Sequence, residues 1–433
     1  MNIVNSKQKH QKIQVQLVWE GLLIGVVAGG VVVLYRIALA YDKAWLSVVL
    51  NAVRENPVWI IGWFFLLFLL ALLTGYLMKW EPHISGSGLP QLKGELLGVL
   101  DQDWKKVLPA KFIGGVLALT GGLSLGRGGP SMQLGAMTGK GLSRILKWDK
   151  ETEKQVLICG ASAGFAAAFH APLAGVIFIM EEIQKGFSVM SLIPMLVSAV
   201  SADCISVCFL GREPVFRVVI EAALPRNEYW LLLPLGIVLG VTGVLYQRSL
   251  MGTKRLYQKV ERIGEKGKMM VVFMTAGILG IFVPEVLGSG GILLQNLTNG
   301  NMVFGTLLFL LAMKFLFTML SAASGVPGGL FLPLFVLGAM LGSIFAVFGV
   351  RCLGLDSIYI NNFIFLAIAG YFAAIFRTPV TGIILVCEAL GSFQYILALG
   401  IVSVVSYITA RLLRSEAIGE SLLKDLLEGQ KKK

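Results

Sequence analysis

Long apolar stretches without charged residues dominate the chain and predict membrane-spanning helices. Five of them contain no Asp, Glu, Lys or Arg, namely 56–78, 155–180, 229–247, 357–376 and 389–410. A bilayer core about 30 Å thick needs roughly 20 apolar residues per spanning helix. The strands of an outer-membrane barrel would alternate apolar and polar residues, whereas these stretches are apolar on all sides. The pattern therefore predicts an all-α polytopic membrane protein.

One apolar run is longer than a single helix requires. It extends over 315–350, and glycines and prolines interrupt it at several points. We expect broken helical elements there rather than one long rod, because interruptions are tolerated in a membrane where neighbouring protein satisfies the backbone.

Composition and charge agree with a membrane location. Of the 433 residues, 56% are hydrophobic and only 14% are charged, whereas soluble globular chains average about 25% charged residues. The formal net charge is +12, but the basic residues flank apolar segments, in 7–12, 140–154, 248–268 and the last five positions. This is the positive-inside pattern rather than a nucleic-acid surface, so it predicts that both termini and those loops are cytoplasmic. We expect no removable signal peptide, because no cleavage-site pattern follows a short apolar segment near the start.

Glycine and proline cluster at three places inside the apolar region, at 86–90, 126–130 and 325–333. Any one cluster could be a turn or a close helix crossing. Irregular backbone at membrane depth, however, must be buried in protein or line a polar cavity, and Pro after the glycines favours the start of a new helix. A helix that begins inside the membrane presents unpaired N–H groups and a partial positive charge. Such an end can bind an anion without a full buried cation beside it.

The chain also contains two similar halves. A shared pattern of Gly, Pro and small residues lies in two pairs of segments, 126–136 with 329–339 and 171–177 with 378–384. A glutamate follows each segment of the second pair, at Glu181 and Glu388. Paired helix breaks in two similar halves are typical of transporters whose site lies between the repeats.

These motifs together resemble the CLC family of chloride channels and proton-coupled chloride transporters. They are Gly-Ser-Gly-Leu-Pro at 86–90, Gly-Arg-x-Gly-Pro at 126–130, Ala-Pro-Leu-Ala-Gly with a later Glu-Glu pair in 171–182, and Gly-Gly-Leu-Phe-Leu-Pro at 328–333. The resemblance implies the CLC fold, with two inverted-topology repeats of tilted and broken helices. It also implies a homodimer with one anion pathway per subunit, no enzymatic activity, and no cofactor other than bound chloride ions.

The resemblance further implies a set of anion-binding residues. Carried over position by position, they are Gly86, Ser87, Gly88, Arg127, Gly128, Gly129, Leu330, Phe331 and Gly419. The Ser87 hydroxyl and the N–H groups of Leu330 and Phe331 would form a central chloride site, and the N–H groups of 127–129 an outer one. Moving an isolated ion into a low-dielectric interior costs tens of kcal/mol by Born estimates. Neutral donors at several sites replace its water and still allow release.

Two departures from the family's pattern concern its gates. The second motif of the family usually carries a gating Glu that occupies an anion site when ionised and carries a proton when protonated, and here that position is Gly128. A later Tyr of the family closes the inner side of the central site, and our alignment of 417–423 gives Gly419 at that position. Without either side chain we expect a wider pathway and passive anion movement without obligate proton exchange.

Other carboxylates leave an alternative open. Glu182 matches the family's internal proton-transfer glutamate, although a structural ion pair explains a buried carboxylate equally well. A proton/chloride antiporter would need Glu182 alone, or Glu388, to take over the relay. A more distant alternative is an intramembrane hydrolase using Ser87 and His83, for which no third orienting group is evident.

The expected organisation of the chain follows from these assignments. We predict a cytoplasmic tail at 1–16, a first membrane repeat at 17–225 and a second at 226–424 that includes the basic loop 248–268. A basic tail at 425–433 would end the chain, without the CBS domains of many larger family members. The short chain suggests a prokaryotic, multi-pass inner-membrane protein.

Overall fold

The computed structural model describes residues 2–211, 220–259, 264–298 and 303–431, and these ranges are almost entirely helical. Their α-helices are α1 Asn2–Glu55, α2 Val58–Trp80, α3 Leu89–Leu96, α4 Trp104–Thr120, α5 Gly128–Leu146, α6 Lys150–Phe169, α7 Pro172–Phe178, α8 Val189–Leu210, α9 Leu232–Lys259, α10 Gly264–Phe282, α11 Gly291–Thr298, α12 Phe304–Ala323, α13 Phe331–Leu353, α14 Ile360–Phe376, α15 Pro379–Leu390, α16 Ile396–Leu412 and α17 Ile418–Lys431. Within the described ranges, seven helical segments are long and apolar enough to cross a membrane. The prediction of an all-α polytopic membrane protein is confirmed.

Several apolar runs are divided between two helices. The predicted break in 315–350 is confirmed, because α12 ends and α13 begins within it. The stretch 155–180 is also two helices, since His170 adopts a φ of 51° after α6 and Pro172 then begins α7. A residue that precedes Pro is disfavoured in helical geometry. The stretch 389–410 likewise covers the end of α15 and most of α16, with Gly391 at positive φ between them.

The two halves of the chain match element by element. A 3₁₀ turn at Pro82–Ile84 precedes the eight-residue α3, and a 3₁₀ turn at Pro284–Val286 precedes the eight-residue α11. Two hydrogen bonds join the halves reciprocally, from Gly126 N–H to Gly329 O (2.7 Å) and from Gly329 N–H to Gly126 O (2.6 Å). A second symmetric pair of bonds runs from Gly86 N–H to Gly325 O (2.9 Å) and from Gly288 N–H to Gly122 O (2.8 Å). The halves therefore meet where the glycine clusters interrupt their helices.

The basic segment 248–268 was expected to be a loop, and the structure corrects this prediction. It is mostly helix rather than loop, because α9 continues to Lys259 and α10 begins at Gly264, while residues 260–263 lie outside the described residues. The segment is rich in Lys and Arg, which have high helix propensity. An ion pair between Lys254 Nζ and Asp425 Oδ2 (2.7 Å) also joins α9 to α17.

The predicted terminal tails are helical where they are described. The backbone of α1 begins at Asn2, so it includes nearly all of the predicted tail 1–16, with Met1 outside the described residues. The predicted tail 425–433 belongs to α17 up to Lys431, and 432–433 lie outside the described residues.

Candidate anion site and its flanking charges

The glycine clusters bring three helix beginnings together. Gly129, in the first turn of α5, lies so close to Ser87 that an added Cβ would overlap the Ser87 carbonyl oxygen. A Cβ at Gly329 would lie 2.8 Å from Gly126 O and 2.9 Å from Gly129 N. The first N–H groups of α5 and α13 have no partners within their own helices and carry partial positive charge. The structure thus gathers the carried-over segments 86–88, 127–129 and 330–331 into one region.

Ser87 occupies a tight turn just before α3. Gly86 and Gly88 flank it at φ values of 65° and 87°, which residues with a Cβ rarely adopt. The Ser87 side chain is buried, and its oxygen accepts a 3.4 Å hydrogen bond from Leu89 N–H. That bond does not use the hydroxyl proton, so the hydroxyl retains the capacity to donate to an anion.

A buried lysine supports the Ser87 turn. Lys111 on α4 has no exposed surface, and its Nζ donates to Ile84 O (2.8 Å) and Gly86 O (2.7 Å). The second half repeats the arrangement, since the equally buried Lys314 on α12 donates to Val286 O and Gly288 O, both at 2.8 Å. Neither lysine was among the residues predicted from the sequence. The signal was available, because Lys111 and Lys314 have the same spacing along the chain as the matched glycines 126 and 329.

Arg127 and a polar network surround the end of α6. Arg127 is half-buried, and its Nε donates to Ala168 O at 3.0 Å. Arg36 on α1 donates to Ala167 O (2.6 Å) and lies 3.0 Å from His170 Nε2, while His170 Nδ1 lies 2.9 Å from an Asp203 oxygen. His170 is therefore a hydrogen-bonded residue at the break between α6 and α7.

Gly128 does not face empty space. A Cβ at this position would lie 2.5 Å from Phe169 Cε2 and 3.2 Å from Phe331 Cδ2. Phe331 stacks on Phe376 with ring centroids 4.8 Å apart, and Phe169 packs against Phe165 at 4.8 Å. The expectation of a wider pathway is wrong at this position in the described conformation, because aromatic rings fill the volume that a side chain would occupy.

Gly419 is also closely packed. A Cβ there would overlap Glu182 Oε1 and lie 3.0 Å from Lys93 Nζ. Lys93 and Glu182 form a buried ion pair with Nζ and Oε1 2.7 Å apart. The space beside Gly419 therefore holds two charged side chains rather than an opening. The wider pathway expected from the lack of a Tyr is not observed here either.

Further charged residues extend this ion pair to Glu420 on α17. Glu420 lies 3.7 Å from Lys93 Nζ and accepts a hydrogen bond from Lys185. That hydrogen bond holds the pKa of the Glu420 carboxyl below its usual range. The charges thus alternate from Glu182 through Lys93 and Glu420 to Lys185.

Each of the two glutamates that follow the repeated segments caps the N-terminus of a helix in the opposite half of the chain. Glu388 on α15 accepts from Leu173 N–H (2.9 Å) and Ala174 N–H (2.8 Å) in the first turn of α7. Glu181 accepts from Thr381 N–H (2.9 Å) in the first turn of α15. Both helices begin with Pro, and a carboxylate satisfies the free N–H groups that follow it. This structural role accounts for Glu388.

Comparisons with known proteins by sequence and by structure agree with each other. A family model described as the voltage gated chloride channel matches residues 69–411. The H(+)/Cl(-) exchange transporter ClcA of Vibrio cholerae is 32% identical over 442 aligned positions, which cover 99% of this chain and 94% of that protein. The protein of the same name from Citrobacter koseri is 31% identical, with 94% of this chain and 89% of that one covered.

Solved structures agree with the sequence matches. The X-ray structure of a slow cyanobacterial Cl-/H+ antiporter superposes with a TM-score of 0.90 at 26% identity, covering 96% of this chain and 99% of that one. A CLC-type fluoride/proton antiporter superposes at 0.77 with 24% identity, covering 91% and 95%, and supports the fold alone.

Proposed function

We propose a passive chloride pathway, on the premise that this chain belongs to the voltage-gated chloride channel family. Membership makes it a multi-pass membrane protein of the CLC type that transports anions. The single observation that carries the passive reading is Gly128 at the first turn of α5. Glycine has no carboxylate, so nothing at that position competes with chloride or carries a proton.

The proposed chloride sites use neutral donors. The Ser87 hydroxyl and the first N–H groups of α13, around Leu330 and Phe331, would bind the central ion. The N–H groups of 127–129 would bind an outer ion, next to the guanidinium of Arg127. Helix N-termini supply partial rather than full charge, so an ion held between them can also leave.

The aromatic packing at Gly128 adds a condition to this proposal. The rings of Phe169 and Phe331 lie against the glycine in the described conformation. Anion passage therefore requires these rings to move, and rotation of an aromatic side chain needs no proton. The proposed gate is thus steric and independent of proton transfer.

A proton/chloride antiporter is the second candidate, because the relatives named above are exchange transporters. It would require another carboxylate to replace the missing one. Glu388 is engaged with the N-terminus of α7, and Glu182 is paired with Lys93. Both interactions favour the passive reading.

Assembly and orientation complete the proposal. We expect a homodimer with one pathway per subunit in the bacterial inner membrane, with both termini in the cytoplasm as the positive-inside pattern predicts. Crosslinking in vesicles tests the dimer, and protease access to the C-terminus from either side tests the orientation.

Liposome transport separates the two candidate functions. Purified protein is reconstituted with opposed chloride and pH gradients, and chloride and proton fluxes are followed together. The passive pathway predicts chloride movement to its own equilibrium with no uphill proton flux. Proton uptake in a fixed ratio to chloride would establish the antiporter instead.

A further inference from the structure

The buried ion pair beside Gly419 has no place in the anion-binding set described so far. Lys93 lies on α3, six residues after Ser87, and its side chain is only 4% exposed. Glu182 lies in the π-helical turn Ile179–Gln184 that follows α7, with 3% of its side chain exposed. The pair therefore joins the helix that follows the Ser87 turn to the segment carrying the proton-transfer candidate.

Charged groups surround Glu182 on three elements. Lys93 faces it from α3, Lys185 from its own turn, and Glu420 from α17. Lys93 is hydrogen-bonded to Glu182 at 2.7 Å, and Glu420 is further away, at 3.7 Å from Nζ. Glu182 is thus the main partner of the Lys93 ammonium.

Gly419 is required for this arrangement. Any side chain at 419 would begin with a Cβ that overlaps Glu182 Oε1. Gly429, near the other end of α17, has no atom within 4 Å of an added Cβ. The lack of a side chain at Gly419 is therefore matched to the ion pair and is not a general feature of the helix.

We propose that Lys93 is a positioning residue of the anion pathway, which holds the Glu182 carboxylate in the space beside Gly419 and neutralises it there. The inference rests on the proposed function. While the pair is intact, the Lys93 ammonium offsets the charge of the Glu182 carboxylate, so the carboxylate does not repel anions. Loss of Lys93 leaves a carboxylate that repels anions when ionised, and loss of Glu182 leaves an ammonium that attracts them.

A double-mutant cycle in liposomes tests this role. Lys93→Met should lower chloride flux at neutral pH by roughly tenfold, which corresponds to about 1.4 kcal/mol of repulsion. Flux should recover as the pH is lowered and Glu182 becomes protonated. Glu182→Gln should raise flux at low chloride concentration. The double variant should return to near the wild-type rate with no new pH dependence. Lys105→Met, which removes an exposed lysine on α4, is the matched control and should change nothing.

Glycine variants test the role of the ion pair independently. Gly419→Ala should displace the Glu182 carboxylate and produce the same pH-dependent loss of flux as Lys93→Met. Gly429→Ala in the same helix should behave as wild type. If Lys93→Met does not fold, Lys93→Arg, Glu182→Gln and Gly419→Ala decide the question, because the arginine variant should keep a flat pH profile.

The outcomes distinguish this inference from the proposed function. If the wild type carries no chloride, the proposed function fails. If the wild type carries chloride but Lys93→Met acquires no pH dependence, or the double variant keeps the pH dependence of Lys93→Met, the positioning role of Lys93 is overturned and the passive pathway stands.

Discussion

Replacing Gly128 by Glu restores the carboxylate that the family usually carries and should introduce a pH-dependent block. The added Cβ would lie 2.5 Å from Phe169 Cε2 and 2.6 Å from its Cζ, so the ring must shift. Overpacking of this kind costs about 1–3 kcal/mol. Both affected atoms are at the far edge of a ring, which can rotate into new positions more easily than backbone can.

The electrostatic effect of this substitution should exceed the steric one. An ionised carboxylate about 4 Å from a bound chloride repels it by about 4 kcal/mol at an effective dielectric constant near 20. Chloride occupancy should then fall by up to about a thousandfold at neutral pH. Flux should recover as the pH approaches the ordinary Glu pKa of about 4.3.

Matched variants separate the two effects. Gly128→Ala adds the Cβ alone, and Gly128→Gln adds a neutral side chain of the same size. Chloride efflux from liposomes is measured over a range of pH for all three. Only the Glu variant should be pH dependent. If Glu and Gln reduce flux equally at every pH, the position does not face the anion pathway and the reasoning from Gly128 is refuted.

Three further predictions concern the surroundings of the site. Lys111→Met removes the buried donor of the Ile84 carbonyl and one of the two donors of the Gly86 carbonyl, which keeps its bond from Gly328 N–H. It should lower stability by about 1–3 kcal/mol in thermal unfolding and weaken chloride binding in calorimetry. Gly129→Ala places a Cβ on the Ser87 carbonyl and should abolish chloride binding, whereas Gly305→Ala, with open space around it, should not. The hydrogen bond from Lys185 lowers the pKa of Glu420 in the folded protein. The ion pair therefore stabilises the fold at any pH above the pKa that Glu420 has in the unfolded chain, and this stabilisation is lost as the pH falls through the folded-state pKa. The unfolding temperature should therefore drop from wild type to Glu420→Gln at neutral pH, and the difference should vanish in acid; a constant difference would contradict this.

Much of the architecture is predictable because glycine and proline have local effects. Glycine and proline interrupt an apolar helix or begin a new one, so the clusters at 86–90, 126–130 and 325–333 could be located directly. Only the first and third of these clusters contain a glycine at positive φ. The similarity of the two halves was visible for the same reason. The residues that surround the clusters come from distant parts of the chain, and no local pattern reports them.

The packing at the two positions where glycine replaces a side chain usual in the family shows this limit. Gly128 and Gly419 were each interpreted as missing gates that widen the pathway. Phe169 and Phe331 pack against the first, and the Lys93–Glu182 pair packs against the second. A glycine in sequence marks a missing side chain, but only tertiary contacts tell whether the space is empty.

The proton-to-chloride ratio of the wild-type protein tests the central claim most directly. In liposomes with a chloride gradient and no initial pH gradient, the passive pathway predicts chloride flux with no proton flux above that of protein-free vesicles. Stoichiometric uphill proton movement driven by the chloride gradient would contradict the account.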